Sequence, residues 1–303
     1  MRLRDFLCSA ENMPSKLSQS PVVAVLNMKG GVGKTTISGN LFRELYRRLR
    51  DGSKTLLIDF DAQFNLSQLV LTEFKYSILS KQRKTIWHVL EPDVPSSIFS
   101  ICESDLVKIQ SVAEYVTCIK KTTKDHELFL LPGDFRISAL NLRESMQSLE
   151  FPRRRFSNLI KNAREEFTLT VLDCNPSSSF LTRCAIENAT HVLVPVRPDK
   201  YSILGLKMLD DYIGSLPGLS RRPELIVVMN GVTREQSSVE AEIRGHPNYG
   251  KRVLLTRIPH TKILAARADY TGFGADRGVR NSRITRSVLI RASDELIKVL
   301  GVI

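Results

Sequence analysis

The sequence predicts an α/β fold, a doubly wound and mostly parallel sheet flanked by helices. Short β-branched apolar runs recur along the 303 residues at intervals that leave room for helices. A glycine-rich stretch follows the first run directly, and the segment after it keeps its apolar residues at helical spacing.

The runs fall, in order, at residues 22–26, 55–58, 128–131, 169–172, 191–196, 225–229 and 253–255. Between the first two, Ile37, Leu41, Leu45 and Leu49 stand four apart and Phe42 widens the stripe, while Arg43, Arg47 and Arg48 lie on the predicted wet side. This spacing predicts an amphipathic helix packed on the sheet. Residues 72–127 are less regular, with Pro92 and Pro95 as breakers, and read as an insertion that lengthens one strand-to-strand connection. The tail from Ser287 to Ile303 reads as a closing helix. No repeat or Gly/Ser/Pro-rich linker divides the chain, so the expectation is an N-terminal arm over 1–20 and a single domain over 21–303.

The phosphate chemistry is local. The loop Asn27-Met28-Lys29-Gly30-Gly31-Val32-Gly33-Lys34-Thr35-Thr36 sits between a strand and a helix. Glycines lacking Cβ let successive N–H groups curl around phosphate oxygens, and the helix points its positive end at the same anion. Lys34 supplies a cation to the β- and γ-phosphates, and the Thr35 hydroxyl is placed to ligate Mg²⁺. The second run ends in Asp59 and Asp61, which share parity and stand where an open parallel sheet places its ligands. For these acids a cap on the following helix remains a second reading. Asp173 directly follows the run at 169–172 and is placed to hold a magnesium-bound water.

Lys29 to Thr36 resembles the deviant Walker A motif of the ParA/MinD group of P-loop ATPases, marked by a second lysine near its start. The resemblance implies an ATP-dependent sandwich dimer in which Lys29 reaches the partner's phosphates. From the residues alone, the alternative for Lys29 is a solvated loop lysine, the lesser of the two readings. The family's Asp-x-Asp-Pro-Gln-x-Asn pattern meets Asp59, Asp61, Gln63 and Asn65 here, with Ala62 in place of proline and Phe64 where glycine is common. By that resemblance Asp59 orders magnesium and the switch region, Asp61 orients or activates the attacking water, and the 169–173 stretch is the Walker B region. Cys174 stands where threonine is commoner and reads as a packing residue. Asn230 takes the place of the asparagine that pairs with the adenine edge, and Ile258-Pro259 resembles the last loop around the base. Val194 to Leu206 resembles the stretch that starts the helix near the nucleotide and dimer interface. Together these cover roughly residues 21–300 in the expected order.

Charge points to a polyanionic partner. Lys and Arg total 44 against 32 Asp and Glu, a formal charge of +12. Between Lys251 and Arg291 ten basic residues face two acids, so a net +8 of that +12 lies in one segment, a footprint of phosphate-backbone recognition. Lys262, Arg267, Arg277, Arg280, Arg283 and Arg286 are the candidate DNA contacts, and with no base-reading module such binding would ignore sequence. The resemblance agrees, since partition ATPases coat DNA non-specifically as ATP dimers. The family's usual acid after Ile-Pro is missing from this chain.

Five cysteines, none in a C-x-x-C pair, suggest neither a disulfide framework nor a zinc knuckle. With no signal-like apolar core in the first twenty residues and no 18-residue apolar run, the expectation is a cytoplasmic protein, associated with the nucleoid through DNA. The leading reading is thus a slow ATPase with ATP and Mg²⁺ as cofactors. It forms a homodimer, binds DNA, and is stimulated by a ParB-like or other cargo adaptor to partition DNA or position cargo. Two alternatives stand beside it. A MinD-like membrane-positioning ATPase needs a basic amphipathic tail, and this tail carries two acids and two bases; a non-hydrolysing switch or scaffold is suggested by Ala62 and Phe64.

Overall fold

The computed structural model describes residues 20–92, 108–109, 111–143, 145–177, 179–265, 270–278 and 282–302. The arm, Arg267 and Arg280 lie outside these, apart from Ser20 at the arm's end. Eight strands form one sheet: β1 Val22–Val25, β2 Lys54–Phe60, β3 Thr117–Lys121, β4 Glu127–Leu131, β5 Leu169–Cys174, β6 His191–Val196, β7 Glu224–Val232 and β8 Ile258–Pro259. Their spatial order is β3-β4-β2-β5-β1-β6-β7-β8, and every neighbouring pair is parallel except β3 with β4. This is the doubly wound sheet the sequence predicts. The chain leaves β1 toward β2 on one side and later builds β6 and β7 on the other, so the carboxyl end of β1 opens at the switch in winding direction, where such sheets bind ligands.

Both faces of the sheet are buried, as the near-continuous apolar strands require. Val23 and Val25 pack with Ile37, Leu41, Phe42 and Leu45 of α1 (Lys34–Leu45), while Val22 and Ala24 face the opposite core. The short helices α2 (Asn65–Val70), α3 (Glu73–Lys81) and α4 (Ile86–Leu90) follow β2. Helix α5 (Met146–Glu166) brings Phe156 onto Phe60, with the rings stacked 4.3 Å apart. Pro152 sits inside α5 and cannot donate to the Ser148 carbonyl, which instead accepts from the Arg143 guanidinium at 2.8 Å. Helices α6 (Phe180–Asn188), α7 (Ser202–Ser215) and α8 (Ser237–Gly245) connect the later strands. The closing helix α9 (Ser282–Leu300) lays Thr285, Val288, Leu289, Ala292, Ser293, Leu296 and Leu300 inward, and Ser293 Oγ bonds the Leu41 carbonyl of α1.

Two readings change. The run at 253–255 is not a strand: Val253 makes one isolated bridge to Val227, and Leu255 is exposed. Apolar residues there plug the end of a 3₁₀ turn over Gly250–Arg252. Conversely, the insertion contains β3, whose Lys120 and Lys121 mark an edge strand protected by charge.

Candidate functional site

The loop after β1 is held open by its own polar groups. Asn27 ties it to β6, its Nδ2 donating to the Pro195 carbonyl at 2.8 Å, while its Oδ1 accepts from the Lys29 N–H at 2.9 Å. Gly31 (φ 72°) and Gly33 (φ 89°) turn the backbone through left-handed conformations that a side chain would strain. Lys34 opens α1, and its Nζ donates across the loop to the Asn27 and Lys29 carbonyls at 3.3 and 3.2 Å. Burial pulls its ammonium pKa down, against the pull of Asp173 and Asp61. An alanine Cβ at position 33 would lie 2.3 Å from Asn230 Nδ2, which donates to the Val32 carbonyl at 2.8 Å. Gly33→Ala should therefore weaken nucleotide binding at least ~10-fold and cost on the order of 1–3 kcal/mol of stability, measurable by calorimetric titration and thermal melting.

Three acids converge at the strand ends. Asp59 and Asp173 are register partners on β2 and β5, both fully enclosed. Asp59 Oδ2 accepts from Ser67 N–H and Oγ, each at 2.7 Å; Asp173 Oδ1 accepts from Ser38 Oγ at 2.7 Å, and the nearby Thr35 hydroxyl, like that of Ser38, favours the ionised carboxylate. The remaining oxygens, Asp59 Oδ1 and Asp173 Oδ2, have no partner. Burial, reinforced by Asp173, pushes the Asp59 carboxyl up to about 8 against the Ser67 hydrogen bonds, and burial lifts Asp173 to about 6. Such orphaned, like-charged oxygens beside a threonine hydroxyl fit a hard divalent cation. Asp61 is also buried, and its Oδ1 accepts from the Gln63 N–H at 3.0 Å. Burial raises its pKa as well, opposed by that N–H and by Lys34.

Asp59 makes a testable contribution to stability. Its raised pKa means the folded state holds a proton that the unfolded state releases above the usual carboxylate value, so stability falls as pH climbs from about 4 toward about 8. Asp59→Asn keeps an acceptor for Ser67 and removes that penalty. Its melting temperature without ligand should exceed the parent's by roughly 5 °C at pH 8 and match it near pH 4, while the gain in melting temperature from ATP and Mg²⁺ shrinks.

A pocket of about 170 Å³ adjoins the loop, lined by Gly31, Gly33, Thr36, Asn230 and Pro259 among others, with Arg197 and His260 at its edge. Of the predicted site residues, Gly31, Val32, Gly33, Thr36, Asn230 and Pro259 line this pocket, while Asp59, Asp61 and Asp173 are buried away from it, the last two within electrostatic reach of Lys34. Lys29 stands at the rim, its Nζ paired with Asp199 and 5.9 Å from the Tyr201 ring centre. Sequence reasoning passed over Asn27, Ser38, Ser67 and Asp199. Ser38 carries a signal in hindsight, one helical turn after Lys34 on the same face; Asp199 carries none. Cys174 is buried with its thiol pushed well up by burial, as a packing residue should be.

The basic candidates separate. Arg277 is only 7% exposed, donates to the Ala265 carbonyl at 2.8 Å and stacks on Tyr270; Arg286 pairs with Glu44 at 3.1 Å. Lys262 and Arg283 are exposed, with no ion pair to a described residue. Arg283 and Arg286 both lie on α9, one turn apart, while Arg280 falls outside the described residues.

A phosphate loop at the switch point of a parallel sheet, a lysine at its rim and buried acids on the neighbouring strands define a nucleotide-binding P-loop protein. The AAA domain family AAA_31 matches residues 20–222. The chain belongs to that family and is a P-loop ATPase of the ParA/MinD type. It is 26% identical over 248 residues to the chromosome-partitioning ATPase Soj of Thermus thermophilus, covering 80% of this chain and 82% of that one. A ParA family protein of Chlamydia muridarum is 26% identical over 211 residues, 70% of each chain. Among solved structures, an ATP complex of a McdA variant from Cyanothece superposes with a TM-score of 0.63 at 17% identity, covering 94% of this chain and 98% of that one. Cobyrinic acid a,c-diamide synthase from Mycobacterium smegmatis, with ADP and magnesium, gives 0.61 at 19% over 92% and 94%. At these identities the structural likeness shows the fold.

Proposed function

We propose that the protein is a ParA-like positioning ATPase that closes into a homodimer on binding ATP and Mg²⁺, holds DNA without regard to sequence, and lets go after slow hydrolysis. A cargo-bound adaptor, ParB-like or otherwise, would speed that hydrolysis, and the protein would spend its ATP-bound time on the nucleoid. The observation that carries the reading is the pairing of a formed phosphate cradle with a second lysine, Lys29, at its open rim.

The residues divide the work. The N–H groups of Gly30 to Thr36 and the Lys34 ammonium bind the phosphates, and Asn230 and Pro259 flank the base. Thr35, Asp59 and Asp173 would hold Mg²⁺ directly or through water, and that cation would neutralise charge on the β- and γ-phosphate oxygens. Asp61, fixed by Gln63, orients the attacking water and accepts its proton. Lys29 adds positive charge from the second protomer.

Lys262 and Arg283 are the strongest candidates for DNA among the described residues, because Arg277 and Arg286 already serve internal partners. The anisotropy of a labelled duplex of arbitrary sequence, read with ATP, with ADP and without nucleotide, should rise only with ATP. Lys262→Ala or Arg283→Ala should each reduce the slope of log affinity against log salt by about 1. Binding that ignores the nucleotide, or none in any state, defeats the DNA reading. The membrane alternative gains little from the tail, whose Val288, Leu289, Ala292, Leu296 and Leu300 are buried in the core shared with α1, and no helix among the described residues is long and apolar enough to cross a bilayer.

A further inference from the structure

The turn that carries Asp61 is closed by a residue in an unusual conformation. Phe64, at the start of α2, has φ 41° and ψ 40°, a left-handed setting that a bulky side chain adopts only when its surroundings hold it there. Its N–H donates to the Asp61 carbonyl at 2.9 Å, and the neighbouring Gln63 N–H holds the Asp61 carboxylate. The phenyl ring lies on Tyr76 of α3, with centroids 5.2 Å apart and planes 11° off parallel.

Tyr76 is itself anchored. Its hydroxyl donates to the Gly133 carbonyl at 3.0 Å, just beyond β4. The Gly133 N–H donates to Ser67 Oγ at 2.8 Å, and Ser67 Oγ donates to Asp59. At Gly133 the fit is so close that a Cβ would lie 2.7 Å from Phe64 Cβ and 2.9 Å from the Asp59 carboxyl carbon. Asp59, Ser67, Gly133, Tyr76 and Phe64 therefore form a closed circuit around the turn. Ala62, within the turn, supplies no ring constraint of its own, so the stiffness comes from outside.

We infer that Tyr76 and Phe64 are positioning residues for hydrolysis: their stacked rings, pinned to Gly133, hold the 61–64 turn so that Asp61 faces the water it activates. The inference rests on the ATPase reading above and adds α3 and the β4 loop to the machinery. It also explains why a residue as large as phenylalanine occupies a left-handed position: the ring contact is what fixes the backbone.

The test compares the parent protein with Phe64→Gly, which removes the ring and relieves the left-handed backbone, and with Tyr76→Phe, which keeps the stack and loses only the bond to Gly133. For each, kcat and KM for ATP are measured together with hydrogen exchange of the backbone amides from Gln63 to Gln68. Phe64→Gly should lower kcat at least ~10-fold with KM unchanged, and exchange in this segment should speed up while β2 amides stay protected. Tyr76→Phe should fall between it and the parent in both readouts. A merely structural role would lower thermal stability and leave the kcat of the folded fraction intact. Unchanged exchange in Phe64→Gly overturns the inference whatever the turnover, and so does faster exchange with undiminished kcat. A parent protein that binds ATP and never hydrolyses it defeats the ATPase reading first, and the positioning role with it.

Discussion

Asp61→Ala should drop ATP turnover at least ~10²-fold while leaving ATP affinity within a few-fold of the parent. The separation follows from where the carboxylate sits. Asp61 is buried, and its carboxylate accepts from the Gln63 N–H, whereas the groups proposed to bind phosphate are the loop N–H groups and Lys34, whose Nζ bonds the Asn27 carbonyl. Removing it therefore takes away the group that accepts the water's proton and leaves the binding cradle intact. The pH profile of the parent carries the same signature. Burial raises the Asp61 pKa, so turnover should fall on the acid side at a higher pH than an ordinary carboxylate would give. Single-turnover hydrolysis read against pH, alongside calorimetric binding of ATP, checks both parts.

Lys29→Ala should be as damaging and should act through the dimer. A cation supplied in trans to transferring phosphate contributes about 10³–10⁵ in rate where it has been removed from comparable sites, so turnover falls by orders of magnitude and ATP no longer drives association. In the isolated chain Lys29 is instead held by Asp199, which also accepts from the Tyr201 N–H at 3.0 Å at the start of α7. That ion pair draws the Asp199 pKa down despite partial burial. In the proposed dimer Lys29 would have to leave Asp199 to reach the second protomer. Asp199→Asn preserves an acceptor for the turn and removes the charge. Because the pair is partly exposed, worth about 0.2–1 kcal/mol, the variant should dimerise at only a few-fold lower protein concentration. Analytical sedimentation of the two variants with ATP reads the opposite directions.

Local signals made much of this legible before any coordinates. The phosphate loop needs only a strand, glycines and a helix in order, and all three are contiguous. Asp59 and Asp173 stand near the ends of β2 and β5 because apolar runs stop there, while the parity argument does not reach Asp61, since β2 ends at Phe60. What stayed hidden depends on distant parts of the chain. The Lys29–Asp199 pair joins residues 170 apart in sequence, and no spacing rule reaches that far. Strand β3 is short, half exposed and lysine-bearing because it closes a sheet edge, so it lacks the apolar run that revealed the central strands. The run at 253–255 carried that apolar signal without room in the sheet, since β8 takes the edge beside β7. Charge counting marked a basic segment but could not tell which arginines were already spoken for: Arg277 is buried against Tyr270, and Arg286 answers Glu44 on α1. Phe64 read in sequence as a departure from a pattern, and its meaning emerged only with Tyr76 and Gly133 beside it.

The claim on which the whole account turns is that ATP converts this chain from one protomer into two. Sedimentation velocity of the Asp61→Ala protein, which holds ATP without consuming it, tests this directly in the presence of ATP and Mg²⁺, of ADP and Mg²⁺, and of neither. The account predicts a 34.2 kDa species with ADP or no nucleotide and a species of twice that mass with ATP, the latter abolished by adding Lys29→Ala. A single unchanging species under all three conditions, from protein shown to bind ATP, would contradict it.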